Sequence, residues 1–171
     1  MVIWVTGLSG SGKTTLCNAV WYLIKPAISE LVLLDGDVVR KAFGDGLGYR
    51  EEDRVKQITR LQRIARMLSE QEFVVMVSAL YAHPTLLKWN RQNFLEYFEV
   101  YLEASLDTVK RRDTKGLYNG VTENVVGVDI PWHVPKFPNM IINMDEPDRP
   151  QVLARRLIAA VPRLARAPEV R

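Results

Sequence analysis

Short apolar runs alternate with longer amphipathic stretches along the whole chain. Val2-Ile3-Trp4-Val5 is uniformly apolar and predicts a buried strand over residues 1–6. A helix over about 12–25 follows, and Pro26 helps to end it. Leu31-Val32-Leu33-Leu34 predicts a second, fully apolar strand, closed by Asp35-Gly36-Asp37. Between 51 and 71, Val55, Ile58, Leu61, Ala65 and Leu68 recur every three or four residues, the mark of an amphipathic helix. A third strand is predicted over 73–77 with Ser78 at its carboxyl end, then a helix over 84–94 and a fourth strand over 98–102. A short helix over 106–112, a fifth strand over 140–143 and a closing helix over 151–160 complete the series, with Asp148 as the expected cap of the last. Apolar strands spaced by helices predict an α/β fold with a parallel sheet covered on both faces. Ligands then gather at the carboxyl ends of the strands.

A chain of 171 residues with this apolar content predicts one domain over 1–171. Lys and Arg number 23 against 20 Asp and Glu, a mild basic excess that suits an anionic small molecule without demanding nucleic acid. Arg155, Arg156, Arg163, Arg166 and Arg171 carry much of that excess, and a solvated helix face is the simplest account of them. Cys17 is the only cysteine, so no disulfide can form within the chain and a reducing compartment is expected. Its place in the first helix predicts a small core residue. No apolar run is long enough to span a membrane, and Val2 already belongs to the fold, so a cytoplasmic protein without a signal peptide is expected. His83 and His133 show no metal-ligand spacing.

Directly after the first strand, Gly7-Leu8-Ser9-Gly10-Ser11-Gly12-Lys13-Thr14 fits G-x-x-x-x-G-K-[ST], a phosphate-binding loop. Glycines let successive backbone N–H groups turn toward phosphate oxygens, and the following helix points its positive end at the same anions. Lys13 can reach the β- and γ-phosphates, and the Thr14 hydroxyl can ligate a bridging Mg²⁺. ATP or GTP is the expected ligand. Asp35 and Asp37 could coordinate that ion through water or accept the proton of an attacking hydroxyl. The plainer account is a turn with Asp37 capping the helix that holds Arg40. Arg40 and Arg54 suit a second anion through forked hydrogen bonds. Ser78 and Tyr81 end the third strand. The irregular stretch 113–138, with Lys115, is long enough to predict a lid, which would keep water from a phosphoryl donor.

Together these residues resemble the adenylyl-sulfate (APS) kinases, which phosphorylate the ribose 3′-hydroxyl of adenosine 5′-phosphosulfate. The resemblance covers nearly the whole chain. It lies in Trp4-Val5-Thr6 through Thr14-Thr15, in Leu34-Asp35-Gly36-Asp37 with Arg40, and in Leu47-Gly48-Tyr49 leading to Glu51-Glu52-Asp53-Arg54. It continues through Glu99-Val100-Tyr101, Arg112-Asp113 with Lys115-Gly116-Leu117-Tyr118, and Gly127-Val128-Asp129. The resemblance implies a three-layer P-loop kinase fold, its five-stranded parallel sheet ordered 2-3-1-4-5. It implies ATP contacts from Gly7, Ser9, Gly10, Ser11, Gly12, Lys13, Thr14, Thr15 and Arg112, and Mg²⁺ at Thr14 and Asp37. Lys13, Asp35 and Asp37 would be catalytic, with Asp37 nearest the attacking hydroxyl. Arg40, Tyr49, Arg54, Gln57, Ser78, Lys115 and Val125 would line the acceptor site, Tyr49 as an aromatic face for the base. Expected partners are ATP and a small nucleotide, without nucleic acid or membrane, and a homodimer is allowed.

The chain also departs from the family. The usual Ser-Pro-aromatic-Arg after strand three reads Tyr81-Ala82-His83-Pro84, which loses a hydroxyl and an arginine. The asparagine three residues after the acceptor-binding arginine is Gln57. The basic run after Tyr118 is replaced by Asn119-Gly120-Val121-Thr122-Glu123. Phe-Thr-Gly, which supplies the second face around the acceptor base, reads Val125-Val126-Gly127. Asn124 to Asp129 and Asn90-Arg91-Gln92-Asn93 look similar to a related branch that phosphorylates cytidine diphosphoramidate in capsule pathways. Both acceptors stay open on the sequence. A non-catalytic ATP-binding regulator is the alternative of another class, although Lys13, Thr14, Asp35 and Asp37 are all present and no Asn-Lys-x-Asp guanine-reading motif is found.

Overall fold

A computed structural model describes the chain except for Asp45, Thr114, Asn119, Val121 and residues 167–171. Asn119 and Val121 of the replaced basic run, and Arg171 of the tail, therefore lie outside the described residues. β1 (Val2–Thr6) runs through the centre of the sheet, and each of its residues is buried. It pairs in parallel with β3 (Val74–Ala79) on one side and β4 (Tyr97–Glu103) on the other. β2 (Leu31–Asp35) extends the sheet beyond β3, and β5 (Met140–Asn143) extends it beyond β4. The resulting order is β2-β3-β1-β4-β5, as the resemblance implied.

The helices are α1 (Lys13–Ile24), α2 (Gly36–Phe43), α3 (Glu51–Ser69), α4 (Pro84–Asn93), α5 (Leu106–Arg112), α6 (Pro150–Ala160) and α7 (Pro162–Ala165). Successive strand residues point to opposite faces, so β1 feeds two cores at once. Ile3 and Val5 pack with Leu16, Cys17 and Val20 of α1 and with Leu157 and Leu164 of the closing helices. Val2 and Trp4 pack on the other face with Ile58, Leu61 and Ala65 of α3 and Leu87 of α4. Of the apolar stripe read from the sequence of α3, Ile58, Leu61 and Ala65 meet the sheet and Leu68 packs against this core, whereas Val55 is exposed. Truncating a wholly buried leucine such as Leu61 to alanine in such a core costs about 2–5 kcal/mol.

Several expectations need correction. β2 is an edge strand, so most of its residues are half-buried, although its sequence is as apolar as a central strand's. Ser78 lies inside β3, one residue short of its end. The cap of α2 is Asp35, whose carboxylate accepts the N–H groups of Asp37 and Val38, so Asp37 is left free of that duty. Asp148 does not cap α6. That helix starts after Arg149 with no side-chain cap, and Asp148 instead pairs with Arg156 at 3.3 Å. Arg163 is not merely solvated: it donates to the Glu72 carbonyl at 2.7 Å and pairs with Glu96 at 3.5 Å, tying α7 to the sheet's lower edge. Cys17 is a core residue as expected, its thiol pushed up to about 12 chiefly by burial. Among the described residues, no helix is long and apolar enough to cross a membrane.

Candidate active site

The loop between β1 and α1 turns so tightly that side chains would not fit. A Cβ on Gly7 would stand 2.7 Å from the Leu102 carbonyl oxygen and 2.7 Å from Ser11 Oγ. Gly12 holds the left-handed conformation (φ 95°) at the start of α1, which only glycine adopts without strain. Ser11 Oγ is buried inside the loop against Gly7, without a hydrogen-bond partner among the described residues. Lys13 Nζ folds back and donates to the carbonyls of Gly7 (2.8 Å) and Leu8 (2.7 Å). Burial, followed by the Lys115 charge, lowers its pKa to about 8 against the pull of Asp37 and Asp35.

At the end of β2, Asp35 links two elements. Oδ2 accepts from the Thr14 hydroxyl at 2.8 Å, and Oδ1 accepts from Asp37 N at 3.0 Å. The phosphate loop's threonine and the turn presenting Asp37 are therefore held by one carboxylate. Gln57 of α3 secures the same turn from below, donating to the Gly36 carbonyl at 2.9 Å. A Cβ on Gly36 would press on the Ser78 carbonyl at 3.1 Å, so the turn lies directly on β3. Asp37 itself projects from α2 and forms an ion pair with Lys115 of the 113–138 segment. Burial works to raise the Asp37 carboxyl; the Lys115 hydrogen bond and the charges of Lys115, Lys13 and Arg40 outweigh it and hold it below the usual carboxylate value.

Beyond Asp37 lies a second cluster. Arg40 donates to the carbonyls of Leu47 (2.9 Å) and Gly48 (2.7 Å), which pins the loop before α3. Arg54, itself buried, donates to the Tyr49 carbonyl at 2.9 Å and to the Asn124 carbonyl at 2.7 Å. Both guanidinium groups lie over the Tyr49 ring, at 4.9 and 5.7 Å from its centroid. Tyr49 is 57% exposed and lines the cleft. Val125 is buried, its N–H held by Asp129 at 2.9 Å.

The structure brings most of the predicted residues to one cleft of about 570 Å³. Ser9, Lys13, Thr14, Asp35 and Asp37 line one end; Arg40, Tyr49, Arg54, Gln57, Ser78 and Val125 line the other, with Lys115 across the top. Arg112 stands apart from this cleft and donates to the Met144 carbonyl at 2.6 Å, beside the loop that follows β5. Sequence reasoning missed three contributors. The Tyr118 hydroxyl donates to the Ser9 carbonyl at 3.1 Å, Asn124 supplies its carbonyl to Arg54, and Glu51 accepts from the buried Tyr81 hydroxyl. Asn124 does carry a backbone signal, a left-handed φ of 61°, yet asparagine in a loop does not announce it in sequence.

The family model for adenylylsulphate kinase matches residues 1–143. The chain belongs to the adenylylsulphate kinase family. An adenylyl-sulfate kinase of Chloroflexus aurantiacus is 36% identical over 168 residues, covering 96% of this chain and 90% of that protein. A cytidine diphosphoramidate kinase of Campylobacter jejuni is 34% identical over 146 residues, covering 83% and 85%. Among solved structures, the Mycobacterium tuberculosis APS kinase in complex with AMPPNP and APS superposes with a TM-score of 0.82 at 30% identity, covering 93% of this chain and 95% of that one. Membership of the adenylylsulphate kinase family makes the chain a P-loop kinase. The phosphate loop, the Asp35-Gly36-Asp37 turn and the Tyr49–Arg54 segment all fall within the residues that the family model matches.

Proposed function

We propose that this protein transfers the γ-phosphoryl group of ATP to the ribose 3′-hydroxyl of a small nucleotide, in the manner of adenylyl-sulfate kinases. One observation carries the reading: a single cleft joins the phosphate loop to the Arg40–Tyr49–Arg54 cluster, with Asp37 between them. Lys13 would leave its two loop carbonyls to hold the transferring phosphate, and the loop N–H groups would cradle its neighbours. Arg40 and Arg54 would face the anionic groups of the acceptor. As the 3′-oxygen attacks the γ-phosphorus, its proton passes to Asp37, the bond to the β,γ-bridging oxygen breaks, and ADP leaves.

The residues fit a magnesium ion that arrives with the nucleotide. The Thr14 hydroxyl and the Asp35 carboxylate already meet at 2.8 Å, with Asp37 beside them. Among the described residues no three His, Cys, Asp or Glu side chains form a metal cage, so phosphate oxygens and water would complete the ion's shell. When bound, the ion neutralises charge on the phosphates.

A second acceptor is favoured by the pocket wall. Val125, buried but lining the same cleft as Tyr49, is aliphatic where a second aromatic face would suit a purine. Stacking is worth about 1–3 kcal/mol per base, and a pyrimidine has less π-surface to lose than a purine. A cytidine nucleotide such as cytidine diphosphoramidate is therefore the alternative acceptor. The test is ADP release measured with adenylyl sulfate, cytidine diphosphoramidate and a panel of nucleoside phosphates, with the product's phosphate position assigned. Transfer to a 3′-hydroxyl is expected. ATP binding without transfer to any nucleotide would overturn the kinase reading in favour of a binding regulator.

A further inference from the structure

Among the described residues, the 113–138 segment makes three polar contacts with residues assigned to the reaction. Tyr118 donates to the Ser9 carbonyl of the phosphate loop, Asn124 accepts from Arg54, and Lys115 pairs with Asp37. The first two are accepted by backbone carbonyls, that of Ser9 and that of Asn124. The third engages the carboxylate that is to accept a proton.

We propose that Lys115 withholds Asp37 from reaction until the nucleotide acceptor displaces it, so that bound ATP is protected from water. This rests on the kinase reading above and adds a form of control to the same site. Without the lysine, a water oxygen at the acceptor position attacks the γ-phosphorus while its proton passes to Asp37. The bond to the β,γ-bridging oxygen then breaks, giving ADP and inorganic phosphate. With the lysine in place, Asp37 is committed as acceptor to an ammonium group.

The geometry suits an exchangeable latch rather than a structural brace. The two side chains are 54% and 58% exposed, so the pair is well solvated and opens at little cost. Tyr118 and Asn124, both beyond Lys115 in the chain, anchor the segment independently at Ser9 and Arg54, so opening the latch need not release it. Lys115 is also the cation poised to follow the acceptor's anionic groups once Asp37 is vacated.

The experiment compares the parent with Lys115→Met and Lys115→Arg, measuring phosphate release from MgATP with no acceptor present. Lys115→Met is expected to raise this hydrolysis about two- to fivefold, the scale set by a solvated ion pair, while its transfer to the acceptor falls. Lys115→Arg keeps the charge, so its hydrolysis is expected to rise less than that of Lys115→Met. Combining Lys115→Met with Asp37→Asn should abolish the gain, because the leak runs through the carboxylate. Hydrolysis by Lys115→Met no faster than the parent's, or a gain that survives in the double variant, overturns the latch. A parent that transfers to no nucleotide overturns the kinase reading instead, and the two failures are separately visible.

Discussion

The two ends of the cleft are built differently. The donor end is built around one continuous stretch, the loop of residues 7–14 between β1 and α1, which Asp35 and Asp37 complete; close backbone contacts impose Gly7, and a left-handed φ imposes Gly12. The acceptor end is assembled from α2, the loop before α3, α3 itself, β3 and the 113–138 segment. Its arginines are held by carbonyls of the loops they organise, and Arg54 reaches 70 residues along the chain to Asn124. A site made of one local turn tolerates little change, whereas a site made of five segments can alter one wall and keep the others. That is why the phosphate chemistry reads clearly in this chain while the acceptor's base does not.

The difference can be broken from the donor end first. Lys13→Ala should lower kcat about a hundredfold to a thousandfold, because it removes a charge on the transferring phosphoryl group. The measurement is steady-state turnover, and a variant within tenfold of the parent would undo the role of Lys13. Asp37→Asn, at the junction of the two ends, should lower kcat about a hundredfold while ATP still binds. Binding by calorimetry beside turnover separates those effects, and parental turnover would remove Asp37 from proton transfer.

Arg54→Ala strikes the acceptor end alone. Losing charge-assisted bonds worth about 1.5–3 kcal/mol should raise the acceptor KM about tenfold to a hundredfold with little change in the KM for ATP. An equal rise in both would show that the ends are not independent. The next test is a pH dependence. Lys13 has a pKa of about 8 in the ligand-free protein, so its charge is present below that pH and is lost as pH rises above it. ATP binding requires the charged form, and affinity should therefore weaken by up to about tenfold for the first pH unit above 8, with proton uptake on binding. Lys13→Arg, which stays charged, should flatten the profile. The smallest effect is expected at the acceptor base. Val125→Phe should improve kcat/KM for an adenine acceptor relative to a cytidine one by about fivefold, the low end of stacking, because Val125 is largely buried and only part of a ring there would face the cleft. No shift in the ratio would mean that Val125 does not discriminate bases.

Much of this was legible in the residues. Apolar runs alternating with helical stretches named the five strands, most plainly central β1, where residues buried on both faces leave little room for polar ones. The same signal could not tell an edge from a centre: Leu31 to Leu34 reads as apolar as β1, yet the strand stands at the sheet's margin because nothing pairs beyond it among the described residues. Capping was misread for a related reason. Asp35, Asp37 and Asp148 are all chemically able to cap, and only the backbone path selected Asp35. A hydrogen-bonded chain runs from buried Gln62 and Asn90 through Tyr97 to buried Glu99 and on to the exposed Arg91, with burial raising the Glu99 carboxyl against the pull of Tyr97 and Arg91. Asn90, Arg91 and Glu99 stood in motifs of the sequence, but their connection did not.

By itself, then, the sequence determined what depends on neighbours within a few residues: the phosphate loop, the helix and strand periods, and the carboxylates placed just after β2. Tertiary structure decided what depends on residues far apart in the chain. It set Gln57 beneath the Asp37 turn, laid two arginines over Tyr49 and brought Lys115 onto Asp37 from 78 residues away. The physical reason is reach. Backbone conformation and hydrophobic period are written locally, whereas a hydrogen bond or ion pair across the cleft exists only after the sheet has fixed where the loops emerge.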